Sequence, residues 1–260
     1  MELADFYRAC APFYDRDYAG IMEDGLRLYV ELARESGGPV LEMGCGTGRV
    51  LLPTARAGVP ITGMELSPDM LEVLRRSAAA EPDEVRRRIT TLQGDIRRDS
   101  AGGRFALVTA PFRVAQHLLE RADQRAWLRN VQRHLLPGGF LCFDVFQLDP
   151  ARLVDEGTPR VDIDRIEPET GCRIRRFDTV SSFPALQITE IHVEWVKENP
   201  AGERVFSQKA GCKMRWFTRA ELENLLELEG YEITGYWGSF EREPFGHGSQ
   251  QQIIRARCQV

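Results

Sequence analysis

Three acidic side chains each close a short strand-like run: Glu42 after Val40-Leu41, Glu65 after Ile61–Met64, and Asp95 after Thr91–Gly94. Between the first two lies Gly44-Cys45-Gly46-Thr47-Gly48, followed by an apolar segment from Val50 to Ala57. A strand that runs through a glycine turn into a helix brings backbone N–H groups close to a ligand with no side chain in the way. A carboxylate at the end of the next strand can accept two hydrogen bonds from ribose hydroxyls, the role open to Glu65. The phosphate-binding G-x-x-x-x-G-K-[ST] loop is excluded, since no Lys-Ser or Lys-Thr closes the turn. The dinucleotide fingerprint G-x-G-x-x-G does not fit either, because Arg49 stands where its last glycine belongs. For proton transfer the candidates are His117, His192 and His247, with Tyr14 and Glu241 behind them. None of these stands in a motif that fixes its role.

The elements that must carry these residues alternate. Val40–Glu42, Ile61–Glu65, Thr91–Ile96, Phe105–Pro111 and Phe140–Phe146 read as five strands of an α/β sheet with ligands at its carboxyl ends. Ser67-Pro68-Asp69 begins a helix with Ser at the N-cap and Pro at N1, burying Met70, Leu71, Leu74 and Ala78. A helix over Arg121–Leu136 shows Trp127, Leu128, Val131 and Leu135 on one face and stops at Leu136-Pro137-Gly138-Gly139. Residues 1–35 read as helical and rich in aromatics, ending at Gly37-Gly38. From Gln147 the alternation breaks, and residues 147–170 read as a polar excursion. Cys172–Phe183, Leu186–Lys197 and Arg204–Phe217 then look like three strands, the last two joined at Asn199-Pro200-Ala201-Gly202. Ile191, Val193 and Trp195 alternate with Glu190, His192 and Glu194, the period of a sheet with one covered face. That cover is either a roof over a pocket or a homodimer contact. Thr218 and Glu221 form a capping box for a helix closed by Gly230, and Tyr231–Phe240 with Gln251–Cys258 make a final hairpin.

At 260 residues, 43% hydrophobic and 28% charged, the chain has the make-up of a soluble globular protein with a sizeable core. No apolar run approaches a membrane span and the first residues lack a signal-peptide pattern, so a cytoplasmic location without membrane contact is expected. The net charge of −5 argues against nucleic acid as partner. The six cysteines are scattered with no C-x-x-C, which removes zinc and iron–sulfur spacings; no metal is expected, and the thiols read as small buried hydrophobes.

Taken together, Val40–Val50, the string Gly63–Leu71 (GMELSPDML), Gly94-Asp95-Ile96, the Phe105–Phe112 strand end and Leu136–Phe146 resemble, in order, the five motifs of class I S-adenosylmethionine-dependent methyltransferases of the small-molecule type. The resemblance implies a Rossmann-like seven-stranded α/β sheet with a C-terminal antiparallel hairpin, plus a small antiparallel β lid over the acceptor. It implies S-adenosyl-L-methionine as cofactor and S-adenosyl-L-homocysteine as product. On it, Glu42, Gly44, Cys45, Gly46 and Gly48 lie against the methionine moiety, while Glu65, Leu66 and Met70 serve the ribose side. Gly94, Asp95 and Ile96 would meet the adenine, with Asp95 accepting from its amino group. Pro111 and Phe112 close the cofactor side, though the Asn/Asp-Pro-Pro-aromatic run of DNA and protein amino-methyltransferases is missing here. The segment APFYDRDY resembles the family's N-terminal helices, which places Tyr14 by the cofactor and Tyr14 and Tyr18 by the acceptor. Arg113 and Gln116, with Glu241 and Arg242 from the 241–250 loop, complete the expected acceptor contacts.

The organisation so implied is a helical cap over 1–36, a cofactor-binding core over 37–146, an inserted lid over 147–217, and a helix and hairpin over 218–260 that complete the core. The expected activity is methyl transfer to an oxygen or nitrogen of a small-molecule metabolite. Two alternatives stand beside it: a nicotinamide-dependent oxidoreductase, and a protein that binds S-adenosylmethionine without turnover.

Overall fold

The computed structural model describes residues 3–148 and 157–258. The chain opens with helices α1 (Leu3–Cys10), α2 (Tyr14–Asp17) and α3 (Glu23–Ser36). The parallel strands follow: β1 (Val40–Met43), β2 (Ile61–Glu65), β3 (Ile89–Gln93), β4 (Phe105–Ala110) and β5 (Leu135–Phe146). Between them run α4 (Leu51–Arg56), α5 (Pro68–Ala79), α6 (Asp83–Arg86) and α7 (Arg121–His134). After β5 come β6 (Arg160–Ile166), β7 (Arg173–Phe183), β8 (Ile188–Glu198) and β9 (Arg204–Arg215), then α8 (Arg219–Leu228), β10 (Tyr231–Trp237) and β11 (Gln251–Cys258). The main sheet is seven-stranded in the order β10-β11-β5-β4-β1-β2-β3, and only β11 runs against its neighbours.

Both faces at the centre of the sheet are covered, and β1 is buried at every position. One layer packs Trp127, Leu128 and Val131 of α7 with Leu222 and Leu226 of α8 against β4 and β5. The other packs Leu28, Tyr29 and Leu32 of α3 with Leu51 and Ala55 of α4 against the opposite face. Ser67 caps α5 by accepting from the Met70 N–H at 3.3 Å, and the Thr218–Glu221 capping box is fully formed. Gly48 sits at φ +90°, and a Cβ there would lie 2.3 Å from Leu74 Cδ1, so the turn can press onto α5 only without a side chain.

Three points of the sequence reading change, and an alternative it left open is narrowed. The excursion holds a strand, since β6 lies within 157–166; the part over residues 149–156 and the first two residues of the helical cap lie outside the described residues. The second sheet therefore has four strands, β6-β7-β8-β9, not three. α7 ends at His134, and Pro137-Gly138-Gly139 belongs to an irregular start of β5, where the pairing with β4 slips between Phe105 and Leu107. The covered face of β8 is covered by this chain itself, because Val193 and Trp195 pack with Cys10, Phe6, Phe13 and Tyr14 of the N-terminal helices.

That docking is polar as well as apolar. Trp195 lies parallel to Phe13 at 5.2 Å and donates from Nε1 to Asp17 Oδ2 at 2.7 Å. Arg176 of β7 is buried among Asp17, Asp162 and Asp178, and Arg165 of β6 reaches Asp17 at 3.3 Å. Among the described residues no helix is long and apolar enough to cross a membrane.

Candidate functional site

A cavity of about 640 Å³ opens where β1, β2, β3 and β4 end, a volume ordinary for small-molecule sites (about 300–1,000 Å³). Its floor is the glycine turn. Gly44 stands at φ +75°, and a Cβ there would fall 2.6 Å from Val114 Cγ2, so only glycine lets the segment after β4 lie across the turn. Gly46, Cys45 and Thr47 also face the cavity, whereas Gly48 does not.

Glu42, at 2% exposure, lines the cavity with an Oε2 that has no partner in the protein. Burial, with the nearby Glu65 charge adding to it, pushes its carboxyl well above the usual range. A buried acceptor left unpaired beside a cavity calls for a cationic or N–H ligand group. Glu65 is held rigid: its Oε2 accepts from the Gly46 N–H and its Oε1 from the Ser67 N–H, both at 2.9 Å. Glu65 lines the cavity with two carboxylate oxygens, an acceptor pair that two vicinal hydroxyls can use. Burial raises its pKa and those backbone donors oppose the rise.

Farther along, Gln93, Asp95 and Ile96 line the wall. Asp95 is already engaged, since Arg97 binds both its oxygens and also reaches Asp123 at 3.0 Å. These contacts hold the Asp95 carboxyl below its ordinary value. A ligand amino group would share the carboxylate with Arg97. Gly94 lies behind the wall, where a Cβ would press on Met64 and Asp99.

The opposite end is aromatic. Leu3, Ala4 and Tyr7 of α1 and Tyr14 of α2 meet Val114, His117 and Leu118 there. Tyr7 Oη and His117 Nε2 share a hydrogen bond of 2.7 Å across 110 residues of sequence. Burial pulls the His117 pKa down to about 4, and burial likewise pushes the Tyr7 and Tyr14 phenols up. All three are neutral near pH 7. Thr47 donates to Asp15 at 2.5 Å, and Arg49 donates to the carbonyls of Tyr18 and Ile21, so the glycine turn and the N-terminal helices are tied together. The Arg49 guanidinium also lies 4.9 Å from the Phe112 ring centre.

Of the expected cofactor contacts, Tyr14, Glu42, Gly44, Cys45, Gly46, Glu65, Leu66, Met70, Asp95, Ile96, Pro111 and Phe112 line this one cavity; Gly48 and Gly94 stand behind it as packing positions. Of the three candidate histidines His117 lines it, as does Tyr14. His192 is exposed on the side of β8 facing away from α1, beside Gly211, and His247 is exposed at the tip of its loop. The 241–250 loop does follow the active-site end of the sheet, but Arg242 turns to Glu35 and Glu31 of α3, and Glu241 is exposed. Gln116 is fully buried as a brace, accepting from the Phe146 N–H at 2.9 Å and donating to the Arg215 carbonyl at 2.8 Å. Arg113 stacks at 5.5 Å on Phe146, and Tyr18 stands behind Tyr14, its ring 4.8 Å away. Neither lines the cavity. The sequence reading did not assign Tyr7, Thr47, Arg49 or Arg97; Arg49 and Thr47 lie inside the glycine motif and could have been found there.

Residues 40–139 match the family model described as a methyltransferase domain. The dTDP-3-amino-3,6-dideoxy-alpha-D-glucopyranose N,N-dimethyltransferase of Streptomyces fradiae is 35% identical over 88% of this chain and 86% of its own. The CcbJ methyltransferase of Streptomyces caelestis superposes with a TM-score of 0.82 at 26% identity over 98% of both chains. SAM-bound CalS10, an amino pentose methyltransferase from Micromonospora echinaspora, superposes with a TM-score of 0.69 at 25% identity over 94% of this chain and 95% of that one. These similarities do not favour the nicotinamide alternative.

Proposed function

Given that the chain belongs to the class I S-adenosylmethionine-dependent methyltransferases, we propose that its acceptor is the amine nitrogen of a small molecule. The cofactor is S-adenosylmethionine, and the residues fit it: an unpartnered buried acceptor at Glu42, a two-oxygen acceptor at Glu65, and a glycine floor. In this reading Glu42 meets the methionine ammonium, Glu65 the ribose hydroxyls, and Asp95 and Ile96 the adenine edge. When bound, the cofactor supplies an electrophilic methyl group on a sulfonium.

The observation that carries nitrogen over oxygen is the state of the acceptor end. A hydroxyl must lose its proton as it attacks, which calls for a base with a pKa near the working pH. His117, lowered to about 4 by burial, is too weak for that, and the Tyr7 and Tyr14 phenols remain protonated. A neutral amine attacks with its own lone pair and carries its extra proton away as an ammonium ion. For that chemistry the His117–Tyr7 pair need only orient the N–H bonds while the aromatic wall excludes water. The Streptomyces fradiae and Micromonospora enzymes, both concerned with amino sugars, support the same direction.

The test is S-adenosylhomocysteine release with paired acceptors, amino sugars and their hydroxyl counterparts. Turnover is expected with the amines. Turnover with a hydroxyl acceptor and none with its amine counterpart would overturn the reading.

A further inference from the structure

Asp144 is fully buried at the end of β5, lines no part of the cavity, and has no place in the chemistry above. Its Oδ1 accepts from the Tyr29 hydroxyl at 2.6 Å and from the Phe112 N–H at 2.7 Å. Phe112 and Arg113 are consecutive non-glycine residues at φ 55° and 75°. Backbone of that kind is strained and persists only where its surroundings hold it. These two residues turn the chain from β4 into the short 3₁₀ turn Val114–His117. Two residues further along β5, the Phe146 N–H donates to Gln116 Oε1 at 2.9 Å. The strand therefore grips the connection at its start through Asp144 and near its end through Gln116. Between the grips Val114 is laid on Gly44, and directly after the second His117 is delivered to Tyr7 at 2.7 Å.

We propose that Asp144, together with Gln116, is a positioning residue: it holds the left-handed Phe112-Arg113 pair and so sets where His117 enters the acceptor end of the cavity. Its relevance to catalysis rests on the amine reading above, but its physical content does not. The end of β4 lacks the acidic or amide residue that the amino-methyltransferase motif carries there. β5 puts a carboxylate beneath that point, turned to the backbone and away from the ligand.

The neighbours of His117 make a readout that needs no acceptor. The ring faces Tyr7 from α1 and the backbone of Lys213 in β9, with burial keeping it neutral. If the connection loosens, water reaches the ring and its pKa climbs toward the ordinary 6.5. The experiment is a pH titration of protein labelled with carbon-13 at histidine Cε1, followed by NMR, on wild type, Asp144→Ala, Asp144→Asn and Tyr29→Phe. In Asp144→Ala the His117 midpoint is expected to rise by at least one pH unit, with His192 and His247 unmoved. Asp144→Asn, whose Oδ1 can accept both bonds, restores the wild-type midpoint. Tyr29→Phe deletes the other bond to the same oxygen, leaves Phe112 held, and leaves the midpoint in place. Should Asp144→Ala not fold, Gln116→Met breaks the second grip and is expected to raise the midpoint likewise.

An unchanged midpoint in folded Asp144→Ala, or in Gln116→Met where Asp144→Ala does not fold, or an equal rise in Tyr29→Phe, overturns the proposal. Calorimetry with S-adenosylhomocysteine and amine turnover on the wild type are run in parallel. Wild type that binds the product yet methylates no amine overturns the reading of function while the titration still judges Asp144.

Discussion

Replacing Glu42 by Gln should weaken cofactor binding and stabilise the empty protein, two effects of opposite sign from one atom. The carboxylate is 2% exposed, its Oε2 has no partner, and Glu65 is a second acid nearby. An unpaired buried polar group costs about 1–3 kcal/mol, and more when charged. The amide removes the charge at nearly the same volume, so the unliganded protein should gain about 1–2 kcal/mol at pH 8. For a chain of 260 residues that raises Tm by about 2–5 °C. The gain must depend on pH. A carboxyl raised in the folded state destabilises that state progressively as pH climbs above the ordinary carboxylate range, and not below it. Wild type and Glu42→Gln should thus melt together at the acid end of the range and separate as pH rises. With ligand the order reverses, because a charge-assisted bond to an ammonium is worth about twice a neutral one. A loss of about 1–2 kcal/mol, roughly 5–30-fold in Kd for S-adenosylhomocysteine, is expected. Differential scanning fluorimetry between pH 5 and 8.5, with calorimetry at pH 8, measures both. A variant less stable than wild type at pH 8, or one with undiminished affinity, would refute the assignment of Glu42 to the ammonium.

Glu65→Ala deletes the acceptor for two hydroxyls and the partner of the Gly46 and Ser67 N–H groups; S-adenosylhomocysteine affinity by calorimetry should fall by about 2–3 kcal/mol. The pH profile of kcat/KM with an amine acceptor should show a single ascending limb at the acceptor's own pKa. No limb from the enzyme is expected between pH 5.5 and 8, because His117 is already neutral there. An ascending limb near 6.5 that His117→Gln abolishes would contradict this. Asp17→Ala strips Trp195 Nε1, Arg165 and Arg176 of a shared anion, and such buried losses cost about 3–5 kcal/mol. Limited proteolysis within the first 20 residues should accelerate markedly in that variant while the main sheet stays resistant.

How much of this was readable in advance follows the sequence distance between partners. Glu42, the glycine turn and Glu65 lie within one strand–turn–helix–strand unit, so local pattern alone brings them together. The floor of the site was legible for that reason. The roof was not, because Tyr7 meets His117 across 110 residues and Trp195 meets Asp17 across 178, and no local period encodes either contact. The connection after β4 was misjudged for the same reason: Gln116 and Arg113 face strand β5, invisible from their own neighbourhood. β6 was missed because it is an edge strand whose Val161 and Ile166 point outward, 53% and 68% exposed, among charged residues that resemble a loop. His192 is the instructive error. The period-two reading of β8 already put Val193 and Trp195 on the covered face, and the same parity sends His192 to the other one.

The seating of α1 and α2 on the second sheet divides the cavity between two sources of sequence. The glycine floor and the acidic wall of the cavity come from residues 42–98, while the opposite end joins Leu3, Ala4, Tyr7 and Tyr14 to Val114, His117 and Leu118 of the connection after β4. The first four ride on a helix pair anchored to β7, β8 and β9 and joined to the glycine turn through Thr47 and Arg49. On the proposed reading, substitutions at Leu3, Ala4 and Tyr7 reshape the acceptor end while leaving Glu42, Glu65 and Asp95 in place. For the engineer, the N-terminal helices exchanged together with β6–β9 form a cassette, one that travels with its own anchor.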